Sequence, residues 1–108
     1  MRILVVDDDD SDRLAVRRCI RQCGLTAELD EVASAQDAQS RIALERYDCV
    51  LLDYYLPGAD TVSLLLRLRE TAKDTPIVIL TGRGDENIAV EFMKSGAADY
   101  VPKASLTP

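Results

Sequence analysis

The chain has no histidine, which excludes imidazole catalysis and any role as a phosphohistidine carrier. No window approaches the roughly 20 apolar residues of a membrane span. Met1-Arg2-Ile3 runs directly into a strand-like segment with no secretory pattern. Positive charge is scarce: 13 Lys and Arg stand against 19 Asp and Glu, for a net charge of -6. Binding to nucleic acid phosphates needs clustered basic residues, so this balance argues against a direct nucleic-acid partner. Cysteine is limited to Cys19, Cys23 and Cys49, an odd count that, without secretory features, points to reduced thiols in the cytoplasm. Cys19 and Cys23 fall four apart on one helix face. Two sulfurs without further ligands make a poor zinc site, so both are expected to act as small buried apolar residues. There is no internal repeat, linker or low-complexity segment, and 108 residues leave room for a single domain.

What is present is a short apolar run that ends in a lone carboxylate, Val50-Leu51-Leu52-Asp53, followed by the turn residues Pro57-Gly58. Such runs suit strands buried on both faces of a parallel sheet. Similar strands are expected over Arg2–Asp7 and Pro76–Thr81, with an alternating edge strand over Ala27–Val32 and a short last strand over Asp99–Val101. Helices are expected between them. The first, capped by Asp10 or Ser11, carries Ala15, Val16, Cys19 and Ile20 at three- and four-residue spacing and stops at Gly24. Ser34 opens a second through about Arg46, and Asp60 or Thr61 a third. A fourth runs from about Asp85 to Ser95. Strict β-α alternation with short connections builds a doubly wound parallel sheet with helices on both faces.

In such sheets, ligands bind at the carboxyl edge. Asp7 and Asp8, Asp53, Thr81 and, shortly after the last strand, Lys103 all belong to strand exits. Carboxylates about 5 Å apart repel by roughly 3 kcal/mol at an effective dielectric of about 20, so convergence there calls for a counter-charge. A divalent cation bound by oxygen ligands, Mg²⁺ above all and Mn²⁺ as a substitute, would supply it. A metal, an ammonium and a hydroxyl around one carboxylate are the parts of phosphoryl transfer, with Asp53 as nucleophile. Taken singly, each residue has a plainer reading: an acidic helix start, a strand-end hydroxyl, a solvated lysine. Their coincidence at one edge favours the joint site.

The segments ILVVDD (3–8), LLDYYLPG (51–58), VILTG (78–82) and GAADYVPK (96–103) together resemble the receiver domain of two-component response regulators over essentially the whole chain. The resemblance implies a flavodoxin-like five-stranded parallel sheet in the order 2-1-3-4-5. It makes Asp53 the phosphoacceptor, with Asp8 and Asp53 as direct Mg²⁺ ligands, Asp7 acting mainly through a water, and Tyr55 offering its backbone carbonyl. Thr81 would be the switch hydroxyl, Lys103 the ion-pair partner of the phosphoryl group, and Tyr100 the switch aromatic. Tyr55 and Arg83 would flank the path of hydrolytic water, with slow self-dephosphorylation expected. The implied partners are a sensor histidine kinase or histidine phosphotransfer protein and a downstream effector. A homodimer through the fourth helix and fifth strand is a further implied arrangement, and no membrane is involved. The domain would catalyse its own phosphorylation and dephosphorylation without being a turnover enzyme in the usual sense.

Three departures from the family pattern stand out. Ala104 replaces the proline that usually follows the lysine in a cis peptide, and Pro102 precedes it. This loop is therefore expected to be trans or strained. Thr61 stands where a glycine is common after Asp60, and the sequence stops where a fifth helix is expected. A truncated domain, a larger parent chain or a partner-supplied helix would each account for that stop. The alternative function is a pseudo-receiver, an interaction module without phosphotransfer. A haloacid-dehalogenase-type phosphatase would want an acid where Tyr55 stands. A flavodoxin-like electron carrier would want hydroxyls and glycines where the first loop carries five acids.

Overall fold

The computed structural model of the protein describes residues 1–82 and 86–106. Strands and helices alternate: β1 (Arg2–Val6), α1 (Asp10–Gln22), β2 (Glu28–Val32), α2 (Ala35–Leu44), β3 (Cys49–Asp53), α3 (Thr61–Thr71), β4 (Ile77–Thr81), α4 (Glu86–Lys94) and β5 (Asp99–Pro102). A single 3-10 turn over Lys103–Leu106 follows β5. The five strands form one parallel sheet in the order β2-β1-β3-β4-β5. The chain therefore leaves β1 toward one edge of the sheet and returns beside it as β3, so the strand order reverses between β1 and β3. A crevice opens at that point outside the carboxyl ends of the strands.

The continuous apolar runs of the central strands reflect burial on both sides. Leu4, Val6, Val50, Leu52, Ile77 and Ile79 pack with Ala38 and Ile42 of α2 and Leu64, Leu65 and Leu68 of α3 in the larger core. Ile3, Val5 and Leu80 point the other way and meet Val16 of α1. Each large side chain fully buried in this way contributes roughly 1.5–3 kcal/mol. The second face is less covered, for Leu29, Cys49, Leu51, Val78 and Val101 are only partly buried. Lys103–Leu106 lies against this side, where Leu106 packs on the smaller core.

Local sequence signals set most boundaries. Ser34 caps α2 by accepting the Asp37 N–H at 3.2 Å. Asp60 caps α3, accepting the Ser63 N–H at 3.2 Å and its hydroxyl at 2.9 Å. Thr61 is accommodated as the buried first residue of that helix. Gly24 ends α1 at φ 73°, a left-handed conformation costly for other residues.

Two expectations need correction, and a third, the trans bond after Lys103, is met. The cap of α1 is Asp9, not Asp10 or Ser11: its carboxylate accepts the N–H groups of Ser11 at 2.7 Å and Asp12 at 3.1 Å. Cys23 is exposed at the end of α1, and Cys19 is only partly buried. The helix rotates Val16, not Cys23, into the core, so neither cysteine fills an interior position. No cis peptide occurs among the described residues, so the bond between Lys103 and Ala104 is trans. The expected start of α4 at Asp85 lies outside the described residues.

Candidate functional site

The crevice at the β1/β3 switch point is lined by the residues that end these strands. Asp7 follows β1 and is held by its own backbone, its N–H donating to Val32 O at 3.1 Å. Asp53 is the last residue of β3, and the next N–H, that of Tyr54, donates to Leu80 O at 2.9 Å. Both carboxylates are buried, Asp7 fully and Asp53 to 3% exposure, whereas Asp8 faces solvent. Oxygens of Asp7, Asp8 and Asp53 lie within 4.8 Å of one another. Arg13 braces the loop, its guanidinium donating to the Asp7 carbonyl and pairing with Asp10 and Glu31.

One ammonium serves this cluster. Lys103 Nζ lies 3.1 Å from Asp53 Oδ1, 3.2 Å from Asp7 Oδ2 and 2.6 Å from Asp12 Oδ2. Burial is the largest influence on this lysine and lowers its pKa. The hydrogen bond to Asp12 and the interactions with Asp53 and Asp7 outweigh burial and hold the pKa above the ordinary 10.5. The lysine therefore stays charged at any physiological pH.

Asp53 is in the opposite position. Burial first, and the charge of Asp7 second, push its pKa from 3.8 up to about 7, against the pull of Lys103 and of the Tyr55 N–H at 3.4 Å. One shared ammonium does not offset two buried carboxylates. The Asp7 side chain shows the same shortfall: Oδ1 accepts the Asp9 N–H at 3.0 Å, but buried Oδ2 makes no hydrogen bond and has only its ion pair with Lys103 at 3.2 Å.

These residues fit a hard divalent cation. The donor set is all oxygen, it carries more negative charge than Lys103 balances, and it includes an acceptor that makes no hydrogen bond. Asp7, Asp8 and Asp53 would hold the ion, leaving other positions for water or phosphate oxygens.

Thr81 is the buried last residue of β4, one position beyond Leu80, which pairs in register with Asp53. Lys103 directly follows Pro102, the register partner of Thr81. Sheet register thus brings the Asp53 carboxylate, the Thr81 hydroxyl and Lys103 to one edge. Tyr55 is 60% exposed beside Asp53, and Tyr100 lies on β5 at 38% exposure. Arg83 lies outside the described residues.

Two functional side chains went unread in the sequence. Asp9 and Asp12 both belong to the acidic run at the exit of β1, and only the path of α1 separates their roles. Asp9 turns back to cap the helix, while Asp12 reaches across to Lys103. Nothing in the local pattern distinguishes Asp12 from its neighbours, because its partner is remote in sequence.

Comparison with known proteins agrees with this geometry. The family model described as the response regulator receiver domain matches residues 3–107. The response regulator MprA of Mycolicibacterium vanbaalenii is 39% identical over 103 residues, which are 95% of this chain and 44% of that protein. The transcriptional regulatory protein SrrA of Staphylococcus aureus is 38% identical over 101 residues, covering 94% of this chain and 41% of that protein. The chain thus spans less than half the length of these relatives. Among solved structures, a response regulator described as putative, from Chloroflexus aurantiacus, superposes with a TM-score of 0.85 at 31% identity, over 97% of this chain and 89% of that one. The chain belongs to the response regulator receiver domain family.

Proposed function

We propose that this receiver domain is a phosphorylation-controlled switch that takes a phosphoryl group from a partner's phosphohistidine onto Asp53. The observation that carries the reading is the convergence of Asp7, Asp8 and Lys103 on the buried Asp53 carboxylate. A carboxylate oxygen of Asp53 attacks phosphorus, the P–N bond to the donor imidazole breaks, and the imidazole leaves with the electron pair and takes up a proton. The product is an acyl phosphate. Mg²⁺, held by Asp7, Asp8 and Asp53, would neutralise charge on the transferring group. Lys103 would donate to one phosphoryl oxygen and Thr81 to another, and Tyr55 would add its backbone carbonyl to the metal's ligands. Movement of Thr81 onto the phosphoryl group, together with Tyr100, would bias a pre-existing equilibrium and reshape the face of α4 and β5.

Under this reading the chain is one receiver domain over residues 1–108. Its partners are a histidine kinase or histidine phosphotransfer protein in the cytoplasm and an effector. The relative SrrA is described as a transcriptional regulator, and the chain covers only 41% of it, which supports an effector module acting together with this domain. No described helix is long and apolar enough to cross a membrane. Dimerisation through α4 and β5 is one form the output would take.

The test is intact mass after incubation with acetyl phosphate, with and without Mg²⁺, beside Asp53→Asn. The expected result is a Mg²⁺-dependent gain of about 80 Da, one phosphoryl group, that is absent from the variant. A folded protein that gains no mass would instead be a pseudo-receiver, binding partners without phosphotransfer.

A further inference from the structure

Lys103 is the cation that pairs with Asp53 among the described residues. It stands at the junction of β5 and a single 3-10 turn, with a trans bond to Ala104. Its flexible four-carbon stem has many rotamers, so backbone placement alone does not aim the ammonium. The contact that does so comes from another element. Asp12 Oδ2 accepts from Lys103 Nζ at 2.6 Å, shorter than the approaches to Asp53 at 3.1 Å and Asp7 at 3.2 Å.

Asp12 is itself well anchored. It lies in the first turn of α1, its N–H is bonded to the Asp9 cap, and the same helix is pinned by buried Val16. An ammonium has three N–H groups, and here three carboxylates face it. With one donor held by Asp12 at the partly exposed rim, the ammonium is kept within ion-pair distance of both Asp7 and Asp53. Phosphorylation then requires only that the ammonium's contact with Asp53 pass to a phosphoryl oxygen, while the rim contact stays in place.

We propose that Asp12 is a positioning residue, which holds the Lys103 ammonium in the orientation that receives the phosphoryl group. The inference rests on the reading of Asp53 as phosphoacceptor and deepens it. It also carries a sign that a simple charge effect does not share. As a bare negative charge near an incoming anion, Asp12 would repel it, and removal would strengthen anion binding. As an anchor for Lys103, its removal weakens anion binding, because the ammonium must then be ordered at the moment of binding.

The experiment is beryllofluoride binding to the Mg²⁺-loaded chain, a phosphoryl mimic followed through tyrosine fluorescence. It compares wild type, Asp12→Asn, Lys103→Ala and the double variant. Asp12→Asn is expected to bind roughly threefold more weakly or worse, while in the Lys103→Ala background the same change has no further effect. Asp12→Asn binding as tightly as wild type or tighter would overturn the proposal, and so would an equal loss in both backgrounds. Wild type that neither binds beryllofluoride nor takes a phosphoryl group from acetyl phosphate would overturn the phosphoacceptor reading, and the inference with it. Normal wild-type binding with an indifferent Asp12→Asn would remove the inference alone.

Discussion

Lys103 Nζ sits 3.1 Å from Asp53 Oδ1 and 3.2 Å from Asp7 Oδ2, so one ammonium from beyond β5 is shared by carboxylates from two adjacent strand ends. Among the described residues, no other cation pairs with either of them. Removing one partner from a buried charge cluster usually costs more than the cluster contributes, because uncompensated charge is left behind. Lys103→Ala should therefore destabilise the metal-free protein by about 2 kcal/mol at pH 7.5, measured by urea unfolding in EDTA. Saturating Mg²⁺ should recover part of the loss. An unchanged unfolding midpoint would mean that the carboxylates are solvated well enough to need no partner.

The raised pKa of Asp53 makes a second prediction, for metal-free protein. With a folded value of about 7 against an ordinary 3.8, the folded state holds this proton more tightly than the unfolded chain. The stability contributed by the neutral acid is complete below pH 3.8 and is lost as pH rises through 7. Asn at position 53 does not titrate. Relative to Asp53→Asn, wild type should lose roughly 2–4 kcal/mol of stability between pH 4 and pH 8 in EDTA. Parallel pH profiles for the two proteins would show that Asp53 ionises normally.

Much of this was legible in the sequence because burial on both faces leaves a plain signature. Ile3 to Val6, Val50 to Leu52 and Ile77 to Leu80 could hardly be anything but interior strands, and a parallel sheet forces their carboxyl ends together. Asp7, Asp53, Thr81 and Lys103 follow from that one constraint. Where several residues offered the same chemistry, the sequence was silent. Five acids follow β1 within a few positions, and the choice of Asp9 as cap depends on where the chain turns. The pairing of Asp12 with Lys103 depends on the course of the segment after Pro102. Cys23 fits the apolar spacing of α1 yet is the exposed residue that caps its carboxyl end.

Metal binding should appear as stability. A ligand present at 100 times its Kd adds about 2.7 kcal/mol when only the folded state binds it, which for a domain of this size raises Tm by roughly 10 °C or more. Mg²⁺ should therefore raise Tm in a concentration-dependent way. Asp8→Asn should weaken that response while leaving the EDTA baseline nearly unchanged, because Asp8 is exposed. The opposite pattern, an altered baseline with an intact Mg²⁺ response, would take Asp8 out of the ligand set.

If Asp53 is the phosphoacceptor proposed above, the lifetime of its acyl phosphate is open to a direct substitution. We propose that Tyr55 shields Asp53. Its N–H approaches Asp53 Oδ1 at 3.4 Å, and the residue is 60% exposed beside that carboxylate. A large apolar ring there hinders an in-line water, whereas a small amide would admit one and orient it. Tyr55→Asn should therefore speed loss of the phosphoryl group by about tenfold, equivalent to about 1.4 kcal/mol off the barrier. The check is the decay of the phosphorylated mass after the donor is removed, with Mg²⁺ held constant. Since Tyr55 is exposed, the substitution should leave the urea midpoint within about 0.5 kcal/mol of wild type, so a faster decay would reflect access of water rather than loss of fold. Decay no faster than wild type would mean that the ring does not cover the phosphoryl group.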